Sequence, residues 1–197
     1  MNTETIEKIY KTFEKSIEIL KEELGVDFLD AFIETGDNLI SGQIHVEDGK
    51  PSEAIIGELK KIYEGFKYND YSPEELRKAI QLVMIRANKE ERIQANHQFT
   101  PEAIGMLFNY IIENLKVDSN QLTIFDPAVG TGNLLSTILN YFQTKRINFK
   151  GIGVDNDDTM LSIASMSFAF ERLEVELFHQ DSIDDLFVKL SLIHISE

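Results

Sequence analysis

In the first half of the chain the apolar residues recur every three or four positions. Ile6, Ile9, Tyr10, Phe13, Ile17, Leu20 and Leu24 form one stripe, which predicts an amphipathic helix over residues 4–24, ended by Gly25. Phe28, Leu29, Phe32 and Ile33 predict a second, shorter helix, and Ile55, Ile56, Leu59, Ile62, Tyr63 and Phe66 a third. Between them "SGQIHVEDGKP" is polar and turn-rich, a loop or a small hairpin. Ser72, Pro73 and Glu75 announce a fourth helix, as N-cap, first helical residue and the far side of a capping box.

After residue 95 the period changes. "LTIF" (122–125), "FKGIGVD" (149–155) and "VELFHQD" (175–181) read as short strands, with helical patterns at about 133–143 and 157–172 between them. Strands alternating with helices predict right-handed crossovers and a parallel sheet. The expected organisation is a helical N-terminal domain over residues 1–95 and the opening of an α/β domain over 96–197.

The candidate chemistry lies at the strand ends. In "FDPAVGTGN" (125–133), Gly130 and Gly132 let the backbone turn tightly and come close to a ligand, and the helix that follows points its positive dipole end at the same spot. Such a loop fits dinucleotides, phosphates and S-adenosylmethionine alike. Asp126 separates them: a carboxylate there opposes a pyrophosphate but attracts an ammonium, which S-adenosylmethionine carries beside its sulfonium. The competing reading is that Asp126-Pro127 only stops a strand. Asp155 ends the second strand, where nucleotide-binding α/β folds hold a ribose diol, or else it opens a turn with Asn156, Asp157 and Asp158. Asp181 is expected at the third strand end, accepting from an adenine amino group while the Ser182 and Ile183 backbone frames the ring, or else capping the next helix.

These segments together resemble the adenine-N6 DNA methylases of type I restriction-modification systems. "DPAVGTGNLL" is similar to their first cofactor motif, "GIGVDND" to the ribose-binding motif and "QDSIDDL" to the adenine-binding one. The resemblance covers about residues 96–185 and implies a Rossmann-like α/β fold, here the first three strands of a class I methyltransferase sheet. It implies S-adenosylmethionine as cofactor and methyl transfer to an exocyclic amine. On this chain the implied cofactor residues are Asp126, Pro127, Ala128, Gly130, Gly132, Asn133, Asp155, Asn156, Asp181 and Ser182. "NHQFTPEAIGMLFNYII" resembles the segment before the sheet, which would set Thr100-Pro101 beside the methionine end of the cofactor. The plain alternative makes Thr100 an N-cap and Pro101 the first helical residue.

That family transfers methyl groups with an Asn- or Asp-Pro-Pro-aromatic tetrapeptide after its fourth strand, and the aromatic stacks on a flipped base. The four prolines of this chain (Pro51, Pro73, Pro101 and Pro127) are never adjacent, so no catalytic residue is assigned. The closing "LSLIHISE" resembles translated adapter sequence, and the native protein is expected to continue past about residue 190. In that case an exposed parallel edge is expected at the third strand.

Composition narrows the classes further. Of 197 residues 43% are hydrophobic, none is cysteine, and no apolar run reaches the length of a membrane span. With no secretory signal in "MNTETIEKIYK", a soluble cytoplasmic protein is expected. The four histidines lack metal-ligand spacing, so no metal is expected. Net charge is −15, with 13 basic against 20 acidic residues in 1–95 and 6 against 14 in 96–197. This balance opposes phosphate binding. Arg77, Lys78, Arg86, Lys89 and Arg92 form the one locally positive stretch, either a solvated helix face or a weak DNA contact. Protein-glutamine or RNA methylation, and S-adenosylmethionine binding without catalysis, are the rival functions.

Overall fold

The computed structural model describes residues 2–90, 100–115 and 122–182. The chain divides into two compact units, Met1–Phe99 with Ala169–Arg172, and Thr100–Phe168 with Leu173–Glu197.

The helical unit is built on α1 (Thr3–Leu24), α2 (Phe28–Ser41), α3 (Glu53–Tyr63) and α4 (Pro73–Glu90). Asn2 caps α1 by accepting from the Glu4 N–H, and Gly25 ends it in a left-handed conformation. Ile6, Ile9, Phe13, Ile17 and Leu20 are buried, as the stripe predicts, and α1 packs against the other three helices. Phe13 meets Phe32 edge to face at 5.6 Å. The second helix is longer than expected because Thr35 and Asn38 interrupt its apolar pattern and yet are buried. Partners inside the unit make that burial possible: Thr35 Oγ1 donates to the Ala31 carbonyl and meets Ser16 Oγ at 2.9 Å. The polar segment after Gly42 forms a tight hairpin in which Glu47 and Lys50 exchange both backbone hydrogen bonds at 2.9 Å.

The capping box at the start of α4 is present: the Glu75 N–H donates to Ser72 Oγ at 3.3 Å and the Ser72 N–H to Glu75 Oε2 at 3.1 Å. Two of the basic residues of this helix, Arg77 and Arg86, turn inward, while Lys89 is exposed. Arg77 is 3% exposed and grips Glu74 through Nε and Nη2 at 2.8 and 2.7 Å. Arg86 reaches Glu90 at 2.7 Å, Glu14 at 2.9 Å and Glu18, and lies over the Phe28 ring at 5.5 Å. Arg92 falls outside the described residues. Arg86→Met, which keeps the stem but leaves Glu14, Glu18 and Glu90 without their shared cation, is expected to destabilise this unit by about 1–2 kcal/mol. The penalty should shrink in high salt. Paired chemical melts at two ionic strengths measure it, and a penalty below a few tenths of a kcal/mol at low salt would count against the network.

The second unit opens with α5 (Glu102–Asn114) and continues β1 (Leu122–Asp126), α6 (Asn133–Thr144), β2 (Phe149–Asp155), α7 (Asp158–Glu171) and β3 (Val175–His179). The helix α5 starts one residue later than the sequence suggests: Pro101 rather than Thr100 is the N-cap, and its carbonyl accepts from the Ile104 N–H at 2.9 Å. The strands pair in parallel in the order β1-β2-β3. Among the described residues β1 and β3 are both edges, and in doubly wound sheets of strand order 3-2-1-4 a fourth strand lies beside the first. Leu135 and Leu139 of α6, Ala164 and Phe168 of α7, Val129 and Leu173 form the core over this sheet. Gly151 and Gly153 make β2 bare on the face that meets it: a Cβ at Gly153 would sit 2.9 Å from Val129 and Leu177 side-chain carbons.

Candidate cofactor site

The loop from β1 to α6 rests directly on β2, where the Val129 N–H donates to the Val154 carbonyl at 2.9 Å. Gly130 and Gly132 have φ of 51° and 81°, the left-handed region that a side chain disfavours. Gly132 is the N-cap of α6 and no side chain caps that helix, so the positive end of its dipole faces the loop. Phe168 lies under Gly132, with its Cζ 2.7 Å from where a Cβ would stand.

The acids at the ends of β1 and β2 meet here. Asp155 Oδ2 accepts from the Gly130 N–H at 2.8 Å and its Oδ1 from the Asp157 N–H at 3.0 Å, so this carboxylate sets the height of the glycine loop. Each oxygen keeps a lone pair, enough to accept from two hydroxyls. Asp126 Oδ1 accepts from the Ala128 N–H at 3.1 Å. Burial pushes the Asp126 carboxyl above its ordinary value, and the neighbouring Asp155 carboxylate adds to this against the Ala128 N–H. Two half-buried carboxylates held together make a place that favours a cation.

The segment after β3 closes on the same loop. Ser182 donates its hydroxyl to the Pro127 carbonyl. The third strand ends at His179, two residues short of Asp181: the Gln180 N–H makes the last rung of the ladder, to the Asp155 carbonyl at 2.9 Å, and the chain bends at Gln180. Asp181 is therefore exposed and beyond the strand tip, a correction to its expected position. Asn156 is also exposed, and its carbonyl contacts His179 Nε2 at 3.0 Å. Gln180, which the sequence reading passed over, holds its Oε1 buried with no partner among the described residues. The only hint was its place beside Asp181 in "HQDS". Ile183 lies outside the described residues.

Thr100 is tied to the loop from the other side. Asn133 Nδ2 donates to the Thr100 carbonyl at 2.9 Å, which holds the residue before α5 at the start of α6. Gly105 lets α5 seat on α6, since a Cβ there would lie 2.5 Å from Thr137 Cγ2. The site residues thus assemble around Asp126, Gly130, Asn133 and Asp155, with Pro127, Ala128, Thr100 and Ser182 bonded to them or next in chain. Among the described residues no group of three His, Cys, Asp or Glu is arranged to hold a metal ion.

Comparison with known proteins agrees with this geometry. The family described as N-6 DNA Methylase matches residues 76–190, and the YtxK N-terminal helical domain matches residues 7–87. The uncharacterized protein YtxK of Bacillus subtilis (strain 168) is 32% identical over 95% of this chain, which spans 56% of that protein's length. A crystal structure assigned to the class I S-adenosylmethionine-dependent methyltransferases, from Listeria monocytogenes, superposes with a TM-score of 0.82 at 32% identity, over 92% of this chain and 55% of that one. The methyltransferase subunit of a type I restriction-modification system from Streptococcus thermophilus shares the fold, at a TM-score of 0.56 and 16% identity over 87% of this chain and 39% of its own. By the family match over residues 76–190, to which the three-stranded parallel sheet and its glycine loop conform, the chain belongs to the N-6 DNA methylase family of S-adenosylmethionine-dependent methyltransferases.

Proposed function

We propose that this chain is the cofactor-binding half of an N-methyltransferase whose acceptor is an exocyclic amine, adenine N6 in DNA. The observation that carries the reading is the pair Asp126 and Asp155 around a loop that Asp155 itself fixes. In this arrangement Asp126 attracts the ammonium of S-adenosylmethionine and Asp155 accepts from its ribose hydroxyls. The uncapped start of α6 faces its carboxylate. Gln180 Oε1, buried and without a partner among the described residues, would accept from a donor such as an adenine amino group. The cofactor would supply an activated methyl on sulfonium; the residues here bind and orient it. The chain spans about half the length of its relatives, and the groups that hold the acceptor amine are assigned to no residue in it. Calorimetry on the chain tests the reading: S-adenosylmethionine should bind and NAD should not, and the reverse result would sink it.

A protein or RNA acceptor is the second reading. It is favoured by the net charge of −15 and by the engagement of Arg77 and Arg86 within the helical unit. Labelled-cofactor transfer by the longer protein, offered duplex DNA, RNA and protein separately, decides between the two.

The raised Asp126 carboxyl gives the site a pH signature. A cationic ligand favours the ionised form, so affinity should be full at neutral pH and fall as pH drops through the raised value. Ligand-free folding responds with the opposite sign, because a half-buried carboxyl raised above its unfolded value makes the fold more stable once protonated. Calorimetry and melts across the acidic range should therefore diverge for the native chain and lose that divergence in Asp126→Asn.

A further inference from the structure

Beside the strand-end acids, one side chain of β3 reaches across the turn that joins β2 to α7. Asp155 Oδ1 accepts from the Asp157 N–H at 3.0 Å, and Asp157 Oδ1 opens α7 by accepting from the Met160 N–H at 3.0 Å. His179 is the last residue of β3 and the register partner of Asp155. Its Nε2 lies 3.0 Å from the Asn156 carbonyl oxygen and its Nδ1 3.1 Å from Asp158 Oδ1. The ring therefore holds the residues on either side of Asp157, whose N–H fixes the Asp155 carboxylate.

Both partners of the ring are acceptors. A neutral imidazole carries one N–H and satisfies only one of them, whereas the imidazolium carries two and satisfies both. The titratable groups about the ring are Asp155 across the ladder, Asp157 and Asp158 where α7 starts, and Asp181 two residues on. The His179 and Asp158 side chains are 52% and 83% exposed, so their ion pair adds little to stability. Its effect is on direction. With Asn156 and Asp158 both tied to the tip of β3, the Asp157 N–H between them stays aimed at Asp155 Oδ1.

We propose that the His179 imidazolium is a positioning residue of the strand-end site, a pin set by one proton that strengthens the binding of S-adenosylmethionine. The proposal rests on the reading of Asp155 as the acceptor of the ribose hydroxyls. With the proton on, both contacts form and the Asp155 carboxylate keeps the orientation that two hydroxyls require. With it off, one contact is lost, the turn loosens, and part of the binding free energy is spent on reordering it. The positive charge of the ring is offset by the Asp158 carboxylate beside it, so it does little against the sulfonium of the cofactor. Binding favours the protonated ring, so the gain is present at lower pH and lost as pH rises.

The test compares the native chain with His179→Gln and His179→Ala, by calorimetry with S-adenosylmethionine in steps from about pH 6 to pH 8, a range in which histidines titrate. Amide exchange at Asp157 is followed in the three ligand-free chains. Glutamine keeps a donor for one acceptor and carries no charge at any pH. At the low end of the range His179→Ala should bind about three- to tenfold more weakly than the native chain, the worth of one ordinary hydrogen bond. His179→Gln should fall between them, and the advantage of the native chain over it should vanish toward pH 8. Comparing two chains at each pH cancels the contribution of Asp126, which both share. Exchange at Asp157 should quicken in the same order. If the native chain binds and its advantage over His179→Gln does not move with pH, or if His179→Ala binds as well as the native chain, the pin is overturned and the cofactor site stands. If the native chain binds no S-adenosylmethionine, the function proposed above falls and exchange alone decides: equal rates at Asp157 in the three chains overturn the pin as well.

Discussion

Replacing Asp155 with alanine is expected to weaken S-adenosylmethionine binding by about 1.5–3 kcal/mol, roughly ten- to a hundredfold in Kd. The loss has two sources. A charged acceptor for the ribose hydroxyls disappears, and so does the hydrogen bond that holds the Gly130 N–H at 2.8 Å. Asp155→Asn separates them, since an amide oxygen still accepts from a backbone N–H but carries no charge. Asparagine should restore much of the loop order, read as amide exchange at Gly130, and only part of the affinity. A change below twofold in the alanine variant would return Asp155 to a purely structural role at the turn before α7.

Gly132→Ala is expected to cost the sheet unit about 2–5 kcal/mol. Left-handed backbone disfavours an alanine by about 1–2 kcal/mol, and forcing a methyl into a packed core costs about 1–3 kcal/mol more. The added methyl would stand 2.7 Å from Phe168 Cζ, too close for either group to stay where it is. Phe168→Leu in the same chain relieves the clash but not the backbone strain. The double variant should therefore recover part of the stability in denaturant melts. If Gly132→Ala melts like the native chain, the close packing of α7 beneath the loop is wrong.

What the sequence revealed and what it hid follow from the range of the interactions. The stripe Ile6, Ile9, Phe13, Ile17, Leu20 and the capping box at Ser72 and Glu75 are local patterns, and both are present in the fold. The second helix reads short in sequence because its buried face includes Thr35 and Asn38, whose partners Ser16 and His45 lie outside that helix. Asp126, Gly130 and Asp155 were legible as a motif. That Asp155 holds Gly130, twenty-five residues upstream, needed the parallel pairing of β1 and β2. Asp181 reads as a strand tip because "VELFHQD" keeps an extended composition to its end; the ladder finishes with the Gln180 N–H on the Asp155 carbonyl, and the chain bends there, one residue before Asp181. Phe168 is invisible as a constraint on Gly132, since nothing in a helical "MSFAF" says which ring will reach the loop.

The inward turn of Arg77 and Arg86 has a further consequence, at distances where no contact is made. With these two cations already neutralised by Glu74, Glu14, Glu18 and Glu90, the charge of −15 meets an approaching polyanion with little local relief. Ordinary DNA-binding proteins lose affinity as salt rises, because bound counterions are no longer released to advantage. Here the dominant long-range force on a duplex is repulsion, which salt screens within about 10 Å at 0.1 M. Added salt should then ease the approach of DNA to this chain, so that its encounter rate climbs over the range in which a basic-faced domain would let go.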